Sequence, residues 1–480
     1  MKTKSKISFL WSLNSKITLV IFEFFTQLIL ARLLFPKDFG IIAIVMIFIS
    51  FGRAITNAGL SQALIQKKKS NSVEDNSVFY FNLFVGLIFT FIVFLCSKFI
   101  AGYFSEPILK NILRVISFWF IINAVSIIQD VKLTRDLNFK AKFKINIISV
   151  FISSFLSISL AFLGFGIWSL VIHLILTQIM RSILLWRFSK WRPLLVFRWH
   201  ALKKLLPFGF NILLSSIFSG FRINIFAIVI GKAYTASQLG LYNKANQLQN
   251  ITSKTFTTSL QNVLFPVFSQ IQDDMVLLKR GLRKSMRYLF FIITPIMVFF
   301  IFKSEEIIIF LLTDKWIESA YYLKILSFLG IIYPLQMMNL NVLKAINLSK
   351  KFLFMTLLWD SLSIFSAIIT SFFSIKIMII GQVIITLSCY LINVLLNGKY
   401  YKYFLKEQLL DLAPLILINV AFYLALNLVL NLVPIFNIYI SMTIDILLGS
   451  LIYALLVYLF YNRFFNEVLS ELQIFLKKNK

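Results

Sequence analysis

Arg53, Arg222 and Lys254 each lie roughly halfway along an otherwise apolar stretch, and this placement limits what can surround them. An ionised side chain in mid-bilayer costs about 2.5–3.5 kcal/mol even on the lenient insertion scale, so it faces water, protein or a ligand rather than lipid. Lys254 belongs to a run of Asn243, Gln247, Asn250, Lys254, Thr257 and Gln261. That three-to-four-residue spacing puts them on one helical face, opposite Leu248, Ile251, Phe256 and Val263. Arg53 belongs to a sparser run of Ser50, Arg53, Asn57 and Ser61, and Arg222 closes one of Asn211, Ser215 and Ser219. A fourth run holds Lys16, Glu23 and Gln27, with Arg32 at its outer end. Brought together, these faces would line a cationic cavity. Phosphate or diphosphate suits such a cavity, because Arg binds oxygen pairs bidentately and Lys acts as a point charge. The amides of Asn57, Asn250 and Gln261 suit sugar hydroxyls.

Plainer roles compete for the same residues. Glu23 can neutralise Arg53 or Lys16 in a buried pair that only sets packing. Arg32 and Lys244 sit close enough to the outer interface to reach water without a ligand, and Arg114 and Arg181 lie near span ends in the same way. The run Asn146, Ser149, Ser153, Ser157 and the run Thr356, Asp360, Ser363, Thr370 read as helix–helix packing, with Asp360 as the exception to watch.

The elements that carry these residues are membrane helices. The chain is 59% hydrophobic with 53 Phe, and its mean hydropathy is +0.86. That is too apolar for a soluble globule of this length. Crossing about 30 Å of hydrocarbon takes roughly 20 helical residues. Fourteen stretches qualify, near 10–34, 39–63, 78–101, 108–128, 145–163, 167–186, 205–229, 241–266, 288–302, 320–341, 353–373, 377–396, 410–432 and 438–460, with a start nearer Lys284 as the alternative for the short ninth. The predicted fold class is an all-α polytopic membrane protein.

The net charge of +29 is distributed by side of the membrane. Even-numbered gaps and the two termini hold about 31 Lys and Arg, against about six in odd-numbered gaps. Positive charge stays on the cytoplasmic side, so both termini are expected there. The bases lie in short loops beside apolar spans, which fits anionic lipid and excludes nucleic acid as the partner. No outward loop exceeds about twenty residues, which argues against a membrane polymerase or glycosyltransferase. Cys96 and Cys389 lie inside spans, and His173 and His200 are far apart, so no metal, cofactor or catalytic cluster is expected. The protein reads as a non-enzyme.

A weak internal repeat divides the chain. Under a shift of 200 residues, Asp38-Phe39-Gly40 falls on Gln238-Leu239-Gly240, and Arg53 falls within one residue of Lys254. Two six-helix lobes, 1–190 and 191–400, are expected to be related by a pseudo-two-fold along the membrane normal. A final helix pair and tail, 401–480, follow.

The stretch Leu30-Ala31-Arg32-Leu33-Leu34-Phe35-Pro36-Lys37-Asp38-Phe39-Gly40, with Ala58-Gly59-Leu60-Ser61-Gln62-Ala63-Leu64-Ile65-Gln66, resembles the N-terminal signature of bacterial polysaccharide flippases of the Wzx type. Leu239-Gly240-Leu241-Tyr242-Asn243-Lys244-Ala245 and Phe265-Pro266-Val267-Phe268-Ser269 resemble later stretches of that family. The resemblance implies the multidrug/oligosaccharidyl-lipid/polysaccharide exporter fold and alternating access in a bacterial cytoplasmic membrane. The implied cargo is an undecaprenyl-diphosphate-linked oligosaccharide, and the implied partners are the polymerase and glycosyltransferases of its pathway. Arg53, Lys254 and Arg222 would then neutralise the diphosphate, and Arg32 and Lys244 would receive it near the outer exit. Many relatives carry an acidic residue where this chain has Asn224, so ion coupling at that position does not carry over. A multidrug or cation exporter of the same fold is the rival reading, disfavoured by the cationic stripes. A lipid II flippase is the nearer alternative.

Overall fold

The structure, a computed structural model, describes residues 2–67, 71–430, 437–462, 464–467 and 470; residues 2–17 and 430 are described by backbone alone. Lys16, the N-terminal lysines, Lys68, Lys69 and the C-terminal lysines of the charge pattern therefore lie outside the described side chains.

The chain forms two compact units, Met1–Gly240 and Leu241–Lys480. In the first are α1 (Lys2–Leu33), α2 (Pro36–Asn57), α3 (Leu60–Gln66), α4 (Ser72–Tyr103), α5 (Ile108–Ala124), α6 (Ile127–Arg135), α7 (Phe139–Phe162), α8 (Ile167–Phe188), α9 (Trp199–Lys203) and α10 (Leu206–Ala233). The unit boundary falls early in α11 (Ala236–Gln270). The second unit continues with α12 (Met275–Phe302), α13 (Ser304–Leu311), α14 (Glu318–Ala345), α15 (Ser349–Thr370), α16 (Ile375–Asn397), α17 (Leu405–Leu430) and α18 (Ile438–Phe460). No strand occurs among the described residues.

Among the described residues, eleven helices are long and apolar enough to cross a bilayer, or twelve if α5 and α6, bent by 40°, form one span. The fourteen expected spans exceed this by α1 and α11. For α1, side chains are described only from residue 18. At 35 residues α11 is long enough, but its polar face lowers its hydropathy. One expected boundary is corrected. The second span does not run to 63: α2 stops at Asn57, and Ala58 and Gly59 turn the chain through the left-handed region at φ 45° and 67°. The helix that carries the ninth span, α12, begins earlier, at Met275, where Asp274 caps it by accepting from the Val276 and Leu277 N–H groups at 3.0 and 2.9 Å; its apolar part follows Arg287.

Local chemistry explains most helix starts. Pro36 opens α2, where its missing N–H is no loss, and Asp38 accepts from the Phe35 N–H at 3.0 Å. Asn138 and Ser374 cap α7 and α16 through Ala141 and Ile377 N–H groups at 3.1 and 3.2 Å.

Small polar residues and glycines then seat the helices. In the first unit α7 packs on α1 and α8, while α2 packs on α4, α5 and α10. Ser153 and Ser154 of α7 meet Thr177 of α8 and Thr26 of α1 at 2.6 and 3.0 Å, which is helix–helix packing by hydroxyls. In the second unit α14 packs on both α12 and α16, and α17 joins α12 to α18. Outward faces keep large apolar side chains exposed, among them Phe99, Phe162, Phe218 and Phe372. Apolar exposure on that scale is what lipid tolerates and water does not.

Candidate functional site

The α2–α10 seam organises the expected residues of the first unit. The two helices run antiparallel: Ile44 lies against Gly231, Phe51 against Gly220, and Gly59 against Gly209. Asn224 donates to the Ser50 hydroxyl at 3.0 Å and to its own helix at the Gly220 carbonyl, 2.8 Å away. Phe51 and Phe221 meet with centroids 4.7 Å apart. Arg53 and Arg222 are thus both within a turn of this contact, and both are exposed. The Arg53 guanidinium lies over the Trp119 ring of α5, 5.4 Å from its centroid, a geometry that orients a cation without neutralising it.

Other expected residues of this unit are used locally. Asn57 accepts from the Ser61 N–H at 3.3 Å and from the Ser61 hydroxyl, and donates to Gln62 at 3.5 Å. Its amide therefore stitches the break between α2 and α3. Glu23 is exposed and forms no ion pair among the described residues, so the packing pair with Arg53 is not seen. Gln27 and Arg32 are half-buried. Arg181 instead joins Lys142 on Asp130, at 3.5 and 3.0 Å, and Arg114 lies over the Phe94 ring at 5.1 Å.

In the second unit, Lys254 is exposed midway along α11, and Asp360 is half-buried on α15. Lys244 differs from the expected snorkelling cation. It is only 4% exposed, with its ammonium donating to Gln247 at 3.3 Å. Asn250 donates to Asn246 at 2.8 Å along the same helix, and Gln261 donates to the Met337 carbonyl of α14, also at 2.8 Å. Part of the polar face of α11 is therefore a protein–protein seam, reinforced where Ser253 donates to the Gly330 carbonyl at 2.8 Å.

A buried polar network in this unit was not singled out from the sequence. Gln408 of α17 donates to Asn339 of α14 at 3.1 Å and to the Tyr403 carbonyl at 3.2 Å, and accepts from Tyr390 of α16 at 3.0 Å. Asn393 donates to Gln336 at 3.3 Å and accepts from Asn397 at 3.0 Å. Tyr403 donates to Asp411 at 2.7 Å, and Asp411 also takes Arg283 and Arg287 at 2.6 and 2.7 Å. Burial, and then the Asp411 carboxylate beside it, hold the Tyr403 phenol above its ordinary range, so it remains a donor. The visible signal was amides recurring at helical spacing in an apolar span, Gln336 and Asn339. Among the described residues no group of three or more His, Cys, Asp and Glu is placed to hold a metal.

Comparison with known proteins agrees with this architecture. The family model described as polysaccharide biosynthesis protein matches residues 29–321. The succinoglycan biosynthesis transport protein ExoT of Rhizobium meliloti (strain 1021) is 26% identical over 321 residues, which cover 67% of this chain and 64% of that protein. The teichuronic acid biosynthesis protein TuaB of Bacillus subtilis (strain 168) is 24% identical over 330 residues, 67% of each chain. The chain thus spans about two thirds of the length of the curated relatives it matches. In fold it is similar to the lipid II flippase MurJ in an inward closed conformation, with a TM-score of 0.76 and 18% identity over 95% of this chain and 99% of that one. An inward-facing multidrug resistance MATE transporter gives a TM-score of 0.62 at 15% identity, covering 80% of this chain and 94% of that one. With more than half of its length matched, this multi-span chain belongs to the polysaccharide biosynthesis protein family and has the fold of the multidrug/oligosaccharidyl-lipid/polysaccharide exporter superfamily.

Proposed function

We propose that the chain translocates an undecaprenyl-diphosphate-linked oligosaccharide repeat unit across a bacterial cytoplasmic membrane by alternating access, serving surface polysaccharide synthesis. Family membership supports the class of pathway, and the names of ExoT and TuaB supply the polymer class. One observation carries the step from family to cargo: Arg53 and Arg222 are exposed on helices apolar enough to cross a membrane, and Lys254 is exposed on the polar face of α11. Lipid is a poor neighbour for an ionised group at that depth, whereas a diphosphate is a good one.

In this reading Arg53, Lys254 and Arg222 neutralise the diphosphate as it crosses. Arg32 and Lys244 serve near the outward end, Lys244 after leaving Gln247. Gln27, Asn57, Asn250 and Gln261 face sugar hydroxyls in at least one state of the cycle, with Glu23 and Asp360 balancing the local charge. The lobes are 1–190 and 191–400, with 401–480 as an appended pair, and both termini are cytoplasmic by the charge bias of the loops. No covalent step is involved, so no catalytic residue or cofactor is assigned.

Single Arg53→Ala and Lys254→Ala variants test the assignment in a strain lacking the chromosomal gene. Surface glycan is expected to fall at least ten-fold in each, with inserted protein at wild-type level. Normal export from both stably inserted variants would end this reading.

A further inference from the structure

The first half of α12 is amphipathic in an unusual way. Leu278, Leu282, Met286 and Leu289 are buried against the second unit, while Lys279, Arg280, Arg283, Lys284 and Arg287 recur on the other side. With Lys402 they line a cavity of about 730 Å³ that lies wholly within this unit. Three carboxylates answer these six cations. Glu407 takes Lys279 at 2.6 Å, Asp411 takes Arg283 and Arg287, and Glu467 takes Lys284 at 3.3 Å. Arg280 and Lys402 are exposed at the same cavity and have no ion pair among the described residues.

Cations gathered around one cavity repel one another, so the positive charge left over after these three carboxylates is costly without a ligand. An anion in the cavity would relieve that repulsion directly.

The surroundings favour a lipid over a soluble anion. Immediately after Arg287, α12 becomes apolar through Phe302 and enters the membrane-spanning region. The cavity therefore sits where headgroups sit. Phe464, which lines the cavity, packs on Tyr288 and Phe291 at that apolar end of α12, surface suited to the upper part of an acyl chain. Basic pockets at this level between membrane helices are suited to phosphate headgroups. We propose that this cavity holds the phosphodiester headgroup of an anionic membrane lipid, with Arg280 and Lys402 supplying its counter-charge. The proposal stands whether or not the transported cargo bears a diphosphate.

The test uses the full chain in detergent, with phosphatidylglycerol and phosphatidylcholine titrated separately and bound lipid counted by native mass spectrometry. Wild-type protein is expected to prefer phosphatidylglycerol, and the preference should weaken as salt is raised. The Arg280→Gln/Lys402→Gln variant is expected to bind phosphatidylglycerol about ten-fold or more weakly. A Lys203→Gln/Lys350→Gln variant, which removes the same charge elsewhere, should bind as wild type does. Glycerol phosphate, with the same phosphate and no acyl chain, should compete poorly; competition equal to the lipid's would reassign the cavity to a soluble phosphate and overturn the proposal. Salt-independent binding by the wild type, or full affinity in the Arg280→Gln/Lys402→Gln variant, would overturn it too.

Discussion

Gly40 of α2 and Gly240 of α11 meet backbone to backbone. A Cβ built on either would stand 3.0 Å from the other's amide nitrogen and would collide with a main-chain carbonyl, that of Ala236 for Gly40 and that of Pro36 for Gly240. The obstacle is backbone, which cannot swing aside as a side chain can. Overpacking costs about 1–3 kcal/mol, and a main-chain clash belongs at the upper end. Gly40→Ala and Gly240→Ala are each expected to lower stability by about 3 kcal/mol, measured by thermal unfolding in detergent. An unchanged melting temperature in either would mean that the helices do not approach this closely.

The Asn224–Ser50 hydrogen bond pins α10 to α2. Interhelical hydrogen bonds in membranes average about 0.6 kcal/mol and reach about 1.7, because partners are available even in the unfolded state. A double-mutant cycle with Asn224→Ala and Ser50→Ala should give a coupling within that range. Coupling indistinguishable from zero would show that the seam is held by Phe51, Phe221 and the glycines instead.

Asp411 is the shared acceptor of Arg283, Arg287 and Tyr403. Asp411→Asn leaves two cations and a phenol competing for a neutral amide. Breaking a fully buried pair costs about 3–5 kcal/mol, and because Arg283 is 41% exposed a loss of about 2 kcal/mol is expected. Thermal unfolding at two salt concentrations checks it. If Asp411→Asn is as stable as wild type, the cluster contributes no net stability.

Gln408 ties three helices together from a fully buried position. Gln408→Leu keeps its bulk while leaving Asn339 and Tyr390 without this partner. An unsatisfied buried polar group costs about 1–3 kcal/mol, so a fall of about 2 kcal/mol is expected, with no change in response to salt. A neutral result would show that these groups find new partners.

The membrane helices were legible because their signal is one-dimensional. Twenty apolar residues and the sign of the flanking loops need no knowledge of neighbours, and the α7 serine run could be read as packing on the same grounds. The end of α2 was partly legible in Asn57-Ala58-Gly59, a turn-prone triplet, yet apolar continuity through Leu64 masked it. The polar face of α11 was visible as a face, although not what it meets: Gln261 turns to the Met337 carbonyl and Lys244 to Gln247.

By itself, the sequence determined that this chain is helical and membrane-embedded, and which residue types stand at which depth. Periodicity and hydropathy are properties of each segment alone. Only the tertiary structure decided that Gly40 would touch Gly240, that Asp411 would gather Arg283 and Arg287, and that six cations would share one cavity. Those relations join residues up to 200 positions apart, and they depend on which helix faces which. Packing geometry fixes that choice, and no local pattern of residues contains it.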